Sequence, residues 1–162
     1  MIVALGSNLP GPYTSRERLL EAALAALPEV GLAVVTKSSW WASAAWPDPT
    51  GPDYLNGVAI VCTDHSPRDT LAVLHDVEAR FGRERGEANA PRTLDLDLIA
   101  HGRTVLNGDL VVPHPRAHER LFVMGPLAEL VSAWTHPVSG ESAFRLAATA
   151  SVGRDARSIA KV

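Results

Sequence analysis

A single cysteine, Cys62, stands in the 162 residues, which excludes an intrachain disulfide and any thiolate metal cluster. Its setting beside the apolar run Val58, Ala59, Ile60, Val61 predicts a buried, inert thiol. Lysine is almost missing: of fifteen basic residues only Lys37 and Lys161 are lysine. The rest are arginine, whose planar forks suit phosphate and carboxylate wherever they cluster. There is no basic excess, the formal net charge being -3, and this argues against a nucleic-acid partner. No stretch approaches the roughly 18 consecutive apolar residues of a spanning helix. Met1 to Leu5 lacks the basic and long apolar regions of an export signal. A cytoplasmic protein with no membrane partner is expected. Absent too are G-x-x-x-x-G-K-[ST], the protein-kinase motifs, Gly-x-Ser-x-Gly, His-Glu-x-x-His and Cys-x-x-Cys. Those absences remove the P-loop and the commonest hydrolase, zinc-peptidase and redox signatures.

What is present is patterned for one domain over 1–162, with hydrophobic residues at 46% and charged residues at 20%. Residues 2–5 read as a buried strand ended by Gly6, Ser7 and Asn8 in a turn. Thr14 with Glu17 forms a capping-box pattern for a helix that buries Leu19, Leu20, Ala23, Leu24 and Leu27 and stops at Pro28. Residues 32–41 and 54–63 read as strands flanking a stiff Pro-rich loop. Ser66 and Pro67 start a second helix with Leu71, Leu74, Val77 and Phe81 on its apolar face. Residues 93–100 alternate Leu94, Leu96 and Leu98 with Asp95 and Asp97, a strand with one buried face. The order strand, helix, strand, strand, helix, strand predicts an α+β fold. Its plan is a ferredoxin-like βαββαβ sandwich with an antiparallel sheet, helices on one face and additional C-terminal elements: a helix near 117–130 and a weakly patterned tail.

Asp95 and Asp97, two apart on a strand, direct two hard oxygen donors at one spot, as a Mg²⁺ site requires; a solvated strand face has the same pattern. Arg92 stands three residues before Asp95, with Arg83 and Arg85 at the far end of the intervening polar loop. Such a loop is either simply solvated or one that closes on a triphosphate. Tyr54 and Asn56 share a strand face, offering a flat ring and an amide to a planar heterocycle, although an aromatic at a strand start also serves a core. His114, Arg116, Arg120 and Phe122 crowd into one Pro-bounded segment. A non-catalytic ferredoxin-like module, binding RNA or sensing a small ligand, shares the topology, but lacks the aromatic strand motif and basic sheet of an RNA reader.

Taken together, Gly6-Ser7-Asn8, Pro52-Asp53-Tyr54-Leu55-Asn56, Gly82-Arg83, Pro91-Arg92-Thr93-Leu94-Asp95-Leu96-Asp97 and Val112-Pro113-His114 with Arg120 and Phe122 resemble the 6-hydroxymethyl-7,8-dihydropterin pyrophosphokinases. The resemblance runs from Gly6 to about Leu127. It implies transfer of diphosphate from the co-substrate ATP to the pterin hydroxymethyl group, with release of AMP, in folate biosynthesis. It assigns two Mg²⁺ ions to Asp95 and Asp97, and catalysis to those two with Arg83, Arg92, His114 and Arg120. Ser43, Trp46, Tyr54, Asn56 and Phe122 are implied to bind the pterin. Leu71, Glu78, Arg83, Arg85, Arg92, Leu98, His114 and Arg120 are implied to bind ATP. The loop from Arg83 to Arg92 is expected to close over the nucleotide.

Overall fold

The computed structural model describes residues 1–83 and 92–159. The first strand, β1 (Ile2–Ser7), is buried along its whole length. It outruns its apolar segment: Gly6 and Ser7 do not turn but pair with Asn56 and Leu55. Helix α1 (Arg16–Ala26) starts one residue later than the capping box suggests, because Ser15, not Thr14, supplies the oxygen that accepts the Arg18 amide. Pro28 does not stop the chain there; it opens a 3-10 turn, Leu27–Val30.

The long strand expected at 32–41 is two strands, β2 (Ala33–Lys37) and β3 (Trp41–Ser43), both paired to β4 (Tyr54–Cys62). Ser38 breaks it, since its hydroxyl accepts the Val58 amide at 3.0 Å and its own amide bonds the Val58 carbonyl. Cys62 is exposed rather than buried, because it is the last residue of β4, at the end of the ladder opposite Ala33. Helix α2 (Pro67–Arg80) begins as the sequence predicts, with Ser66 as cap and Pro67 in the first turn. Strand β5 (Asp95–Ala100), a small hairpin of β6 (Leu106–Asn107) and β7 (Val111–Val112), and a 3-10 turn, Ala117–Glu119, follow. Helix α3 (Leu121–Val131), helix α4 (Ala143–Thr149) and strand β8 (Arg157–Ser158) are the last described elements, so regular structure extends through the weakly patterned segment to Ser158.

The main sheet runs β5-β1-β4-β3-β8, with β2 also on β4, and its strand pairs are antiparallel. Its two faces carry separate cores. Leu19, Leu20, Leu24, Leu74 and Val77 of α1 and α2 pack on Val3, Leu5, Leu55, Val61, Leu96 and Leu98. Val123, Met124 and Leu127 of α3 and Leu146 of α4 pack on Ile2, Ala4, Val58 and Ile99. Helices therefore cover both faces, not one, because β1 and the middle of β4 are apolar at successive positions and need cover on each side. Each fully buried Leu contributes about 1.5–3 kcal/mol. Among the described residues, no helix is long and apolar enough to cross a membrane.

Candidate active site

The second face of the sheet is not completely covered. Beside the start of α3, whose Phe122 and Val123 line it, a cleft of about 300 Å³ opens over the ends of β1, β4 and β5. Strand register lays out its floor. Gly6 of β1 stands opposite Asn56 of β4 on one side and Asp95 of β5 on the other, and Ala4 likewise stands between Val58 and Asp97. Small residues at the centre keep the floor low, with amide and carboxylates rising at either side. Alternation along β5 does the rest: Leu94, Leu96 and Leu98 turn to the first core while Asp95 and Asp97 turn to the cleft.

One end of the cleft is aromatic and amide-bearing. Ser43, Trp46, Tyr54, Asn56 and Phe122 all line it. Asn56 is buried and donates to Ser43 Oγ at 3.0 Å, which fixes its amide plane. Burial raises the Tyr54 phenol, leaving it protonated. The Arg116 guanidinium lies 4.8 Å from the centre of the Trp46 ring, joining two walls of the mouth.

The other end is cationic. Arg83 bonds Asp95 at 2.6 Å and Arg92 reaches the same oxygen at 3.2 Å. Arg83 also pairs with Glu78, a buried carboxylate on α2 that accepts the Leu96 amide at 2.6 Å. Burial pushes Glu78 up to about 7 against the opposing pull of that amide and of Arg83. Asn8 Oδ1 accepts the Arg92 amide at 2.8 Å, tying the start of the described β5 segment to the loop after β1. Burial, then the neighbouring Asp95 charge, raise Asp97 above the usual carboxylate range. His114 Nδ1 accepts the Arg116 amide at 3.1 Å, so a neutral ring carries its hydrogen on Nε2. Burial and the Arg120 charge press His114 down to about 4. Arg120 lines the cleft, and its Nε is buried with no hydrogen-bond partner among the described residues.

Two close carboxylates, one desolvated, facing four arginines suit a cation and a polyphosphate together. Among the described residues no cluster of three or more His, Cys, Asp or Glu forms a metal cage. Asp95 and Asp97 fit Mg²⁺, which takes one or two carboxylates and completes its shell with water and phosphate oxygens.

Most residues singled out from the sequence meet here: Ser43, Trp46, Tyr54, Asn56, Arg83, Arg92, Asp95, Asp97, His114, Arg120 and Phe122. Glu78 stands behind Arg83 rather than in the cleft wall. Leu98 points into the first core, and Leu71 lies half-buried on α2; neither side chain lines the cleft. Arg85, and with it residues 84–91 of the expected closing loop from Arg83 to Arg92, lie outside the described residues. Sequence reasoning missed the floor, Ala4 and Gly6, and gave no role to Arg116. The sequence held no signal for the floor, because the pairing of Gly6 with Asn56 and Asp95 that defines it exists only in the folded sheet.

Residues 2–132 match the profile of the family described as 7,8-dihydro-6-hydroxymethylpterin-pyrophosphokinase. This chain belongs to that family. It is 42% identical over 147 residues to the 2-amino-4-hydroxy-6-hydroxymethyldihydropteridine pyrophosphokinase of Synechocystis, covering 90% of this chain and 73% of the relative. The Haemophilus influenzae enzyme of the same name is 38% identical over 132 residues, 80% of each chain. A crystal structure of wild-type Plasmodium falciparum HPPK-DHPS superposes with a TM-score of 0.69 at 12% identity, over 91% of this chain and 44% of that one, a likeness of fold. The chain thus spans less than half of that longer protein. Family membership makes it an ATP-dependent diphosphotransferase of folate biosynthesis acting on hydroxymethyldihydropterin. That displaces the non-catalytic RNA-binding or ligand-sensing alternatives.

Proposed function

We propose that the cleft holds 6-hydroxymethyl-7,8-dihydropterin at its aromatic end and ATP at its cationic end, on a ferredoxin-like βαββαβ plan in a cytoplasmic protein. The hydroxymethyl oxygen attacks the β-phosphorus, the bond from that phosphorus to the α–β bridging oxygen breaks, and AMP leaves with the electron pair. The observation that carries this reading is the order across the floor: ring-and-amide end, small-residue centre, carboxylate pair, arginines.

Tyr54 and Phe122 stack on the pterin and Asn56, held by Ser43, reads its amide edge. Arg83 and Arg92 hold the transferred phosphates, and the Arg120 guanidinium lies in the cleft lining to meet the oxygen where charge builds. His114 donates from Nε2 and is a poor base, because its Nδ1 lone pair is already engaged. Asp97, in the cleft, is near enough to take part in moving the hydroxymethyl proton. Two Mg²⁺ ions held by Asp95 and Asp97 would neutralise phosphate charge and acidify the attacking hydroxyl when bound. Glu78 acts through Arg83, and no nucleic-acid partner is invoked.

The test is incubation with ATP, Mg²⁺ and reduced hydroxymethylpterin, followed by chromatography of nucleotides and pterins. AMP and pterin diphosphate should appear in equal amounts. ADP in place of AMP, or neither product, overturns the reading.

A further inference from the structure

The match to the family's profile ends at residue 132, yet the chain beyond it returns to the cleft and touches both walls of its aromatic end. Glu119 accepts the amides of Ser151 and Val152, and the Leu121 amide bonds the Val152 carbonyl at 2.9 Å. These bonds bring Gly153 against the Phe122 ring. Gly153 has φ +67°, which favours glycine, and a Cβ there would overlap Phe122 Cδ1 and lie 2.9 Å from Cε1. No other residue type lets the ring sit where it does.

Two residues later the chain meets the opposite wall. An Asp155 carboxylate oxygen accepts the Ala44 amide at 2.5 Å. Ala44 follows β3 and lines the cleft beside Ser43 and Trp46. Between the two contacts runs a tight turn closed by the Ala156 amide on the Gly153 carbonyl at 3.0 Å. Pairing of β8 with β3 then anchors the turn, Arg157 opposite Ala42 and Ser158 opposite Trp41. A short, internally bonded bracket thus ties Phe122 on α3 to the 43–46 strap, across the gap that receives the ligand.

We propose that Gly153 and Asp155 are positioning residues of the pterin site, setting the spacing between Phe122 and the strap that carries Ser43, Ala44 and Trp46. The proposal rests on reading the aromatic end as the pterin pocket. Neither residue is bonded to Arg83, Arg92 or Asp95, which are tied to one another and to Glu78 and Asn8; the bracket meets the cationic end at Arg120, whose backbone bridges Val152 and whose guanidinium lies 5.8 Å from the centre of the Phe122 ring. The bracket therefore acts first on the aromatic end, and its effect on the pterin should exceed its effect on ATP.

Two variants test it in the full chain, Gly153→Ala and Asp155→Asn. Pterin affinity is measured by calorimetry with Mg²⁺ and a non-hydrolysable ATP analogue present, alongside analogue affinity, KM for each substrate and thermal midpoint. Gly153→Ala should weaken pterin binding by roughly tenfold or more through displacement of the ring. Asp155→Asn, which exchanges a charge-assisted bond for a weaker one, should weaken it roughly three- to tenfold. Affinity for the ATP analogue should stay within about twofold, and the pterin KM should rise more than the ATP KM. Should Gly153→Ala fail to fold, Asp155→Asn decides alone. Unchanged pterin affinity in the folded variants overturns the proposal. So does an equal loss for both substrates with a lowered thermal midpoint, the mark of a merely structural role. Wild-type protein that binds the ATP analogue but no pterin would refute the pocket assignment itself, and the proposal with it.

Discussion

Replacing Gly6 by Ala separates stability from binding. Gly6 lies in β1 with Asn56 and Asp95 as its neighbours, and its backbone is outside the left-handed region. The added methyl meets Asn56 Oδ1 at 3.6 Å, the Tyr54 ring at 3.7 Å and Asp95 Cβ at 3.8 Å, ordinary van der Waals contacts that require no movement. A Gly→Ala change in a compatible conformation stabilises by about 0.4–1 kcal/mol, chiefly by restricting the unfolded chain. For a domain of this size that raises the thermal midpoint by roughly 1–4 °C. The same methyl stands up from the centre of the floor, in space a flat ligand would occupy. Overfilling a fitted site costs about 1–3 kcal/mol, equivalent to roughly 5- to 150-fold in affinity. Calorimetry of pterin binding beside a thermal melt reads both effects from one preparation. Unchanged pterin affinity would show that the ligand does not rest on this floor, and a fall in midpoint of several degrees would refute the packing argument.

Asp95→Asn and Asp97→Asn should each lower AMP formation roughly 10²-fold or more, while Asp97→Asn, relieved of a desolvated charge, keeps or gains stability; near-normal turnover in both would dismiss their role in holding Mg²⁺. His114 is held at about 4 against 6.5 for the free side chain, so between these values the unfolded chain binds the extra proton and stability falls as pH drops from about 6.5 to 4. In urea melts over that range the wild type should lose stability more steeply with falling pH than His114→Gln, and parallel curves would contradict the burial of the ring. Gly125→Ala places a methyl 2.6 Å from the Trp41 ring where α3 crosses β3; it should cost about 1–3 kcal/mol, or roughly 2–12 °C, and an unaltered melt would show that this crossing yields.

The parts of the fold legible in the sequence were those governed by local rules. Ser66-Pro67 announced α2 because a cap and a first-turn proline act within one turn. Leu94, Leu96 and Leu98 announced β5 because one buried face leaves a period of two. Packing between distant elements left weaker traces. The covering of both sheet faces was written in the unbroken apolar run of β1, but α3 and α4 carry no mark of which face they choose. Ser38 broke a strand through a partner twenty residues away, which no propensity records. In the site, side chains with chemistry were visible and the small floor residues were not: Ala4 and Gly6 matter for the room they leave. Arg116 drew attention in its segment, but its partner, Trp46, is brought to it only by the folded chain.

The alternation along β5 also binds the placement of Asp95 and Asp97 to the correctness of folding. Its leucines fill one core while its aspartates face the cleft, and this single strand is held laterally by β1 alone among the main-sheet strands. Sliding it by one position against β1 would thrust both carboxylates under α1 and α2 and put three leucines into the cleft. Each misplaced carboxylate would be desolvated with no cation near, a cost of several kcal/mol apiece, comparable to the whole 5–15 kcal/mol margin of a folded domain. A chain in the wrong register is therefore not a dormant enzyme but an unfolded one. Reaching the native register is thus what sets both carboxylates at the cleft.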